Sequence, residues 1–170
     1  MEVAIDEALK QNKFVEGTIC YTGEITDTSR NYTLKYYVDM AKELQKMGCH
    51  SIAIKDMSGL LKPYSAKVLV SGLKDALDIP IHLHTHDTTG NQVATTLMAA
   101  EAGVDIADLA ISSMSSLTSQ PSMNAVVAAL EGQERDTGLS LMDLQKLTDY
   151  WADVRERYVD FESDLKTPVT

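Results

Sequence analysis

Short apolar segments alternate with longer amphipathic segments along the whole chain. Four of the short segments are rich in β-branched residues, which is typical of buried parallel strands. Their starts recur about every thirty residues, roughly the length of one strand–helix unit. The four predicted strands are GTICYTG at 17–23, HSIAIKD at 50–56, PIHLHTH at 80–86 and VDIADLAI at 104–111.

Apolar residues with a period of three to four fill the gaps between these strands, which predicts helices. The first predicted helix begins near Leu34 and ends at Gly48, and the second begins at Pro63. A third covers about 90–103, and a fourth begins at Pro121 and ends near 130. Ser140 and Asp143 predict a capping box at the start of a long last helix. The apolar positions of that helix are Leu144, Leu147, Trp151, Val154 and Tyr158.

This alternation predicts an α/β fold with a parallel sheet and right-handed crossovers, either an open doubly wound sheet or a TIM (β/α)₈ barrel. No glycine-rich phosphate-binding motif follows any strand, which argues against a nucleotide-binding sheet. Polar residues end the strands, for example Thr22, Lys55 and Asp87, and in a barrel such ends converge on one pocket. A barrel needs eight strands, and this chain has only four predicted strands. The chain is therefore predicted to be a partial TIM (β/α)₈ barrel.

Composition narrows the range of partners. The chain has 170 residues, of which 44% are hydrophobic and 24% charged, so it is predicted to be globular. A net charge of −10 argues against a nucleic-acid partner and an anionic membrane surface, because both need a basic surface. Cys20 and Cys49 lie in or beside apolar segments without CxxC spacing. We expect them to be reduced core residues, which favours a cytoplasmic protein.

The segment IHLHTHDTTG at 81–90 contains three of the four histidines at alternate positions. Side chains two apart on a strand face the same way, so His84 and His86 can share one divalent cation. His82 is expected one layer deeper, where it fills the core or supports the site. A lone inward histidine is usually a core residue, but the HxH pair at a strand end favours metal binding.

Two further motifs leave alternatives open. Lys55 either extends its amine out of the strand end or is buried and neutral, in which case it can add CO₂ to form a carbamate. The serine-rich segment SSMSSLTSQPS at 112–122 precedes the predicted helix at Pro121. It is either a capping loop, which we favour, or an anion site at the helix N-terminus.

Six segments, in order along essentially the whole chain, resemble the carboxyltransferase domain of the pyruvate carboxylase family. They are ICYTGEI, IKDMSGLLKP, HLHTHDTTGNQVA, AAEAGVD, SMSSLTSQPSMNAVVAAL and YWADVRERYVDFESDLK. The resemblance implies that residues 1–170 are a partial carboxyltransferase domain with strands 5–8 of the barrel. The half barrel would end near 131, and a C-terminal helical extension would cover 140–160. The oxaloacetate decarboxylase α chain and the transcarboxylase carboxyltransferase subunit share the lysine and the HxH, so they are alternative parents.

The resemblance also assigns roles to individual residues. It implies that Lys55, carbamylated, with His84 and His86 binds a divalent metal, Zn²⁺ or Mn²⁺. An aspartate from the first barrel strand completes the family's ligand set and has no counterpart in this chain. Thr118 matches the family's catalytic threonine, which also contacts biotin. Ser112 and Ser116 stand where the family has aspartate and glycine, which leaves the backbone shape of this loop open.

The implied reaction is metal-assisted transfer of a carboxyl group from carboxybiotin to pyruvate, giving oxaloacetate for anaplerosis and gluconeogenesis. Biotin would arrive on a carrier domain outside this chain, and another domain of the parent polypeptide would use ATP and bicarbonate. The resemblance implies a cytoplasmic homo-oligomer, a tetramer. The isolated chain is expected to be inactive for two reasons. Its two outer strand edges are unpaired, and the aspartate that completes the metal ligands is missing. A hypothesis of another class is a non-catalytic barrel module for subunit contacts, which predicts no metal and no effect of Thr118→Ala.

Overall fold

The computed structural model describes residues 1–169, in which helices and strands alternate. The helices are α1 Glu2–Lys10, α2 Leu34–Lys46, α3 Pro63–Ala76, α4 Gln92–Glu101, α5 Met123–Leu130 and α6 Leu141–Glu156. The strands are β1 Glu16–Cys20, β2 Ser51–Asp56, β3 Ile81–Thr85 and β4 Ile106–Ala107. Two short 3₁₀ helices cover Ser112–Met114 and Val159–Phe161.

The four strands form one parallel sheet in the order β1-β2-β3-β4. Each strand pairs with the next strand along the chain, whereas a doubly wound sheet reverses its strand order at a switch point. An uninterrupted order is what a segment of a barrel requires. The predicted α/β fold with four strand–helix units of a partial TIM barrel is confirmed.

The helices cover one face of the sheet, where they bury the apolar side chains of the strands. Ile19, Ile52 and Leu83 are almost completely buried there, together with Leu44 of α2 and Leu69 of α3. Alternate residues point to the opposite face, which would be the inside of a barrel. In β1 the residues on that face are exposed, and they are Glu16, Thr18 and Cys20.

Strand alternation also separates the two cysteines. Cys49 is buried in the core, as predicted, and burial raises the pKa of its thiol. Cys20 is exposed, because its neighbour Ile19 occupies the helix-covered face and leaves Cys20 on the inner face. The prediction that Cys20 is a core residue is therefore wrong.

The fourth unit is less regular than its apolar pattern predicts. Only Ile106–Ala107 pairs with β3, and Ala110 forms an isolated parallel bridge to Ser122. The Ala110 amide donates to the Pro121 carbonyl, and the Met123 amide donates to the Ala110 carbonyl. Ser122, which forms the bridge, has an extended backbone, so α5 begins at Met123. The predicted start at Pro121 is therefore wrong. The Ser122 hydroxyl caps α5 by accepting from the Ala125 amide.

The last helix forms as predicted, but with half of the capping box. Ser140 accepts from the Asp143 amide, whereas the Asp143 carboxylate pairs with Lys146 at 2.7 Å. Of the apolar positions in α6, Leu144 is buried, while Leu147 and Trp151 remain substantially exposed. Across the described part of the chain, residues 1–169, no helix is long and apolar enough to cross a membrane.

Candidate active site

Three predicted site residues lie at the carboxyl ends of β2 and β3. In the strand register Lys55 stands beside Cys20 on one side and beside His84 on the other. Neighbouring strands lie about 4.8 Å apart, so the side chains of such partners adjoin on the same face. His86 follows β3 directly and faces the same way as His84. The structure therefore brings Lys55, His84 and His86 to one rim of the inner face.

The rings of His84 and His86 present the same nitrogen atom to each other. Their Nε2 atoms are 3.3 Å apart. Nδ1 of His84 lies 2.7 Å from Asp108 Oδ2, and Nδ1 of His86 lies 2.7 Å from the Thr118 carbonyl oxygen. Because a carboxylate and a carbonyl can only accept, each Nδ1 donates its hydrogen. In the neutral rings both Nε2 lone pairs therefore point at the same space.

This arrangement fits a divalent metal ion. Two nitrogens that each lie about 2.1 Å from one ion at a tetrahedral angle are about 3.4 Å apart. The observed separation of the His84 and His86 Nε2 atoms, 3.3 Å, matches that geometry. Within residues 1–169 no third His, Cys, Asp or Glu joins the pair to complete a cluster. A third ligand from the described residues would have to come from another residue type, and Lys55 is the candidate beside His84.

Two carboxylates that sequence reasoning missed lie beneath the histidine pair. The His82 ring lies between Glu16 and Asp108, with Nδ1 3.1 Å from Glu16 Oε2. Burial lowers the pKa of His82, but the two carboxylates outweigh this effect, so the pKa is raised. Burial likewise opposes the charge of Asp108, but contacts with His84 and His82 lower the pKa of this carboxyl. Asp108 thus lies between His82 and His84, so His82 is joined to the candidate site through this carboxylate.

A buried polar network holds the loop that follows Lys55. Asp56, which is fully buried, accepts from the backbone amides of Leu60 and Leu61 at 3.0 and 2.8 Å. Gln92 of α4, also fully buried, donates to the Leu61 carbonyl and accepts from the Thr85 hydroxyl. Thr85 and Asp56 end neighbouring strands. The network therefore fixes the ends of β2 and β3 against each other, directly beside Lys55 and His84.

Thr118 lies in a loop with an uncommon backbone. Ser116 and Leu117 have φ values of +74° and +54°, the left-handed region that side chains disfavour. Thr118 itself is exposed, and its carbonyl is the oxygen that His86 Nδ1 contacts. The Ser112 hydroxyl lies 2.7 Å from the Ser122 hydroxyl, which ties the start of the loop to the cap of α5. The loop thus joins the candidate catalytic hydroxyl to a candidate metal ligand.

A groove of about 670 Å³ opens beside this loop. Its other wall is the end of α6 and the segment after it, and the Arg155 guanidinium donates to the Ser113 carbonyl at 2.6 Å. Its volume is in the range of small-molecule sites. Residues that line it include Thr118, Leu117, Trp151, Tyr158, Phe161 and Lys166.

Comparison with known families and curated proteins gives consistent matches. Residues 8–150 match the HMGL-like family. The chain is 52% identical over 172 residues to pyruvate carboxylase from Staphylococcus aureus, covering 100% of the chain and 15% of that protein. It is 50% identical over 171 residues to pyruvate carboxylase from Bacillus subtilis, with the same two coverages. The chain therefore spans about 15% of the length of these relatives.

Solved structures match the fold over the full chain. The carboxyl transferase domain of Rhizobium etli pyruvate carboxylase superposes with a TM-score of 0.97 at 50% identity. The match covers 100% of this chain and 29% of that domain's chain. The same domain, with the same similarity, has been solved with pyruvate, and with pyruvate and biocytin.

Proposed function

This chain belongs to the HMGL-like family, and we propose that it is the second half of the carboxyltransferase barrel of a biotin-dependent pyruvate carboxylase. In this proposal residues 1–170 form a partial domain, with the half barrel ending near 131 and a helical extension at 140–160. The parent enzyme transfers a carboxyl group from carboxybiotin to pyruvate and releases oxaloacetate. Similarity along the full chain to relatives of that name, and to a domain solved with pyruvate and biocytin, supports this assignment.

One observation carries the chemical part of the proposal, namely the two Nε2 atoms of His84 and His86 3.3 Å apart. Both Nδ1 atoms are already used, so the remaining lone pairs are available for one cation. We propose that His84, His86 and carbamylated Lys55 hold a divalent ion, Zn²⁺ or Mn²⁺. The ligand that completes the site would come from elsewhere in the parent polypeptide. When bound, the ion supplies a Lewis acid for the enolate oxygen that develops on pyruvate.

Thr118 is proposed to move the proton. Carboxybiotin first loses its carboxyl group as CO₂, so the N–C bond breaks and its electron pair stays on the ureido nitrogen of biotin. Thr118 Oγ1 gives its proton to that nitrogen and takes a proton from the methyl group of pyruvate, whose electron pair forms the enolate. The enolate then adds CO₂ and becomes oxaloacetate. The hydrogen bond from His86 to the Thr118 carbonyl, at 2.7 Å, supports this role, because it holds the Thr118 backbone beside the candidate metal site.

The remaining partners lie outside this chain. We propose that biotin is delivered on a carrier domain, that ATP and bicarbonate are used by another domain of the same polypeptide, and that the parent assembles as a cytoplasmic homotetramer. We also propose that neither nucleic acid nor an anionic membrane is a partner. The net charge of −10 supports this, because like charges repel.

The experiment that tests this function is Thr118→Ala in the full-length parent protein. We expect oxaloacetate formation to fall by at least about 100-fold, because the proton carrier is lost. ATP-dependent carboxylation of biotin, measured separately, should remain near the wild-type rate. Thr118→Ser, which keeps the hydroxyl, should retain a substantial part of the activity.

Two results would contradict the proposal in different ways, and one other would show that the variant is misfolded. Unchanged oxaloacetate formation in Thr118→Ala would remove the assigned role of Thr118 and favour a non-catalytic module. Loss of biotin carboxylation as well would point to general misfolding of Thr118→Ala. Thr118→Ser would then decide, since complete loss of oxaloacetate formation with biotin carboxylation retained would also count against the role of the hydroxyl. Oxaloacetate decarboxylation by the parent, coupled to another acceptor, would favour a decarboxylase or transcarboxylase.

A further inference from the structure

Asp108 connects two histidines on the inner face of the sheet. The register pairs His82 with Ile106 and Leu83 with Ala107, so Asp108 stands beside His84 just after β4. Its Oδ2 accepts from His84 Nδ1 at 2.7 Å. Its Oδ1 lies 3.0 Å from Nε2 of His82. One carboxylate therefore touches the candidate metal ligand and the histidine one layer below it.

The carboxylate is the end of a longer polar chain that crosses the sheet. Nδ1 of His82 lies 3.1 Å from Glu16 Oε2 in β1, and the Ser51 hydroxyl of β2 donates to the same oxygen at 2.8 Å. The His82 side chain is only 15% exposed. A carboxylate therefore lies within about 3 Å of the ring on each side, Glu16 on one and Asp108 on the other.

We infer that Asp108 is a positioning residue for the metal site, which rests on the function proposed above. Its acceptance of the Nδ1 hydrogen selects the tautomer of His84 that leaves Nε2 free. It also fixes the plane of the ring, so that Nε2 points at the space it shares with His86 Nε2. A carboxylate in this position makes the imidazole a better electron donor to a bound ion. Asp108 thus acts on the reaction through His84 and does not contact the substrate.

Replacing a carboxylate with a purely structural role would leave metal affinity unchanged. Asp105 is such a carboxylate and serves for comparison. Asp105, three residues earlier, accepts from Lys74 at 2.8 Å and from the Ile81 amide at 2.7 Å. It contacts neither His84 nor His86. Replacing Asp105 should lower stability without changing metal affinity, whereas replacing Asp108 should change metal affinity.

The test compares zinc affinity in the full-length protein and in four variants: Asp108→Ala, Asp108→Asn, Asp105→Asn and His84→Ala. The zinc dissociation constant is measured by competition with a chromogenic chelator, and folding by thermal denaturation. Replacing a residue that orients a metal ligand typically weakens metal affinity about 10- to 100-fold. We expect that loss in Asp108→Ala and a smaller loss in Asp108→Asn, whose amide oxygen still accepts from His84. Asp105→Asn should bind zinc as the wild type does.

The absorption spectrum of the Co²⁺-substituted protein provides a second measurement. Replacing a residue with a purely structural role would not change this spectrum. We expect its ligand-field bands to shift in Asp108→Asn and to stay unchanged in Asp105→Asn. Wild-type zinc affinity in folded Asp108→Ala would overturn the inference if His84→Ala loses zinc. Should Asp108→Ala fail to fold, wild-type affinity and spectrum in Asp108→Asn would overturn it. Zinc retention in His84→Ala itself would instead overturn the proposed metal site.

Discussion

At the scale of single residues, Gly59 is the position where adding one methyl group should disturb the proposed metal site. Its φ is +69°, and an added Cβ would lie 2.9 Å from the His86 carbonyl oxygen. Real Cβ atoms do not approach a backbone oxygen so closely, so the strand end at His86 would have to move. We expect Gly59→Ala to reduce zinc affinity by about tenfold or more, since small displacements of a ligand weaken a metal site.

Gly138 offers a matched control for this substitution. Its φ is +68°, but an added Cβ would meet no atom within 4 Å. Gly138→Ala should therefore show only the conformational penalty, about 1 kcal/mol of unfolding free energy, with unchanged zinc affinity. Equal zinc affinities in the Gly59 and Gly138 variants, measured by chelator competition, would show that the loop after β2 does not support His86.

Sequence reasoning identified the histidine pair but missed Asp108 and Glu16, for a physical reason. His84 and His86 are two residues apart on one strand, so their common direction follows from strand geometry alone. The contact of Asp108 with His84 depends on which strand lies beside β3 and on the register between them.

The sequence left open which backbone shape the loop takes at Ser116, where the family has glycine. The φ of Ser116 is positive, so the loop keeps the conformation that favours glycine.

At the scale of elements, the start of β3 depends on one carboxylate. The Ile81 amide and Lys74 both donate to Asp105. Burial would raise the pKa of Asp105, but the hydrogen bonds from Lys74 and Ile81 outweigh it, so the pKa is lowered. A carboxyl with a depressed pKa in the folded state stabilises the protein above its unfolded pKa. This stabilisation is lost as the pH falls through the folded-state value.

We therefore expect Asp105→Asn to lower the free energy of unfolding at pH 7 by about 1 kcal/mol, the typical net value of a hydrogen bond. The difference from the wild type should begin to shrink as the pH falls below about 4, because the carboxyl is then protonated in the unfolded chain, and should be smallest below the lowered folded-state pKa of Asp105. Urea denaturation of both proteins at several pH values measures it. A difference that stays constant down to the lowest pH at which both proteins fold would contradict the assigned charge interaction.

Helices and long strands could be predicted from periodicity, whereas the fourth unit could not. The apolar run at 104–111 predicts one long strand, but only Ile106–Ala107 joins the sheet. Instead, the Ala110 amide donates to the Pro121 carbonyl, and the Met123 amide donates to the Ala110 carbonyl. Such pairing joins residues more than ten positions apart, and a local pattern contains no information about it. The start of α5 shifts for the same reason.

At the scale of the whole molecule, the inner face of the sheet determines how the chain should behave alone. In β1 this face is exposed, and within residues 1–169 no group of three or more His, Cys, Asp or Glu side chains is placed to hold a metal ion. We expect the purified 170-residue chain to bind zinc weakly and to form no oxaloacetate when it is supplied with pyruvate and carboxybiotin. A coupled malate dehydrogenase assay would measure this, with the full-length parent as control. Appreciable turnover by the chain alone would contradict the half-barrel account.

The central claim is that Lys55, His84 and His86 share one metal ion. Anomalous X-ray diffraction from crystals of the full-length protein, purified without chelators, tests it most directly. We predict one anomalous peak about 2.1 Å from Nε2 of both histidines, with electron density for a carboxyl group on Lys55 Nζ. If the metal peak lay elsewhere, or if no metal lay between the two Nε2 atoms, the proposed site would be wrong.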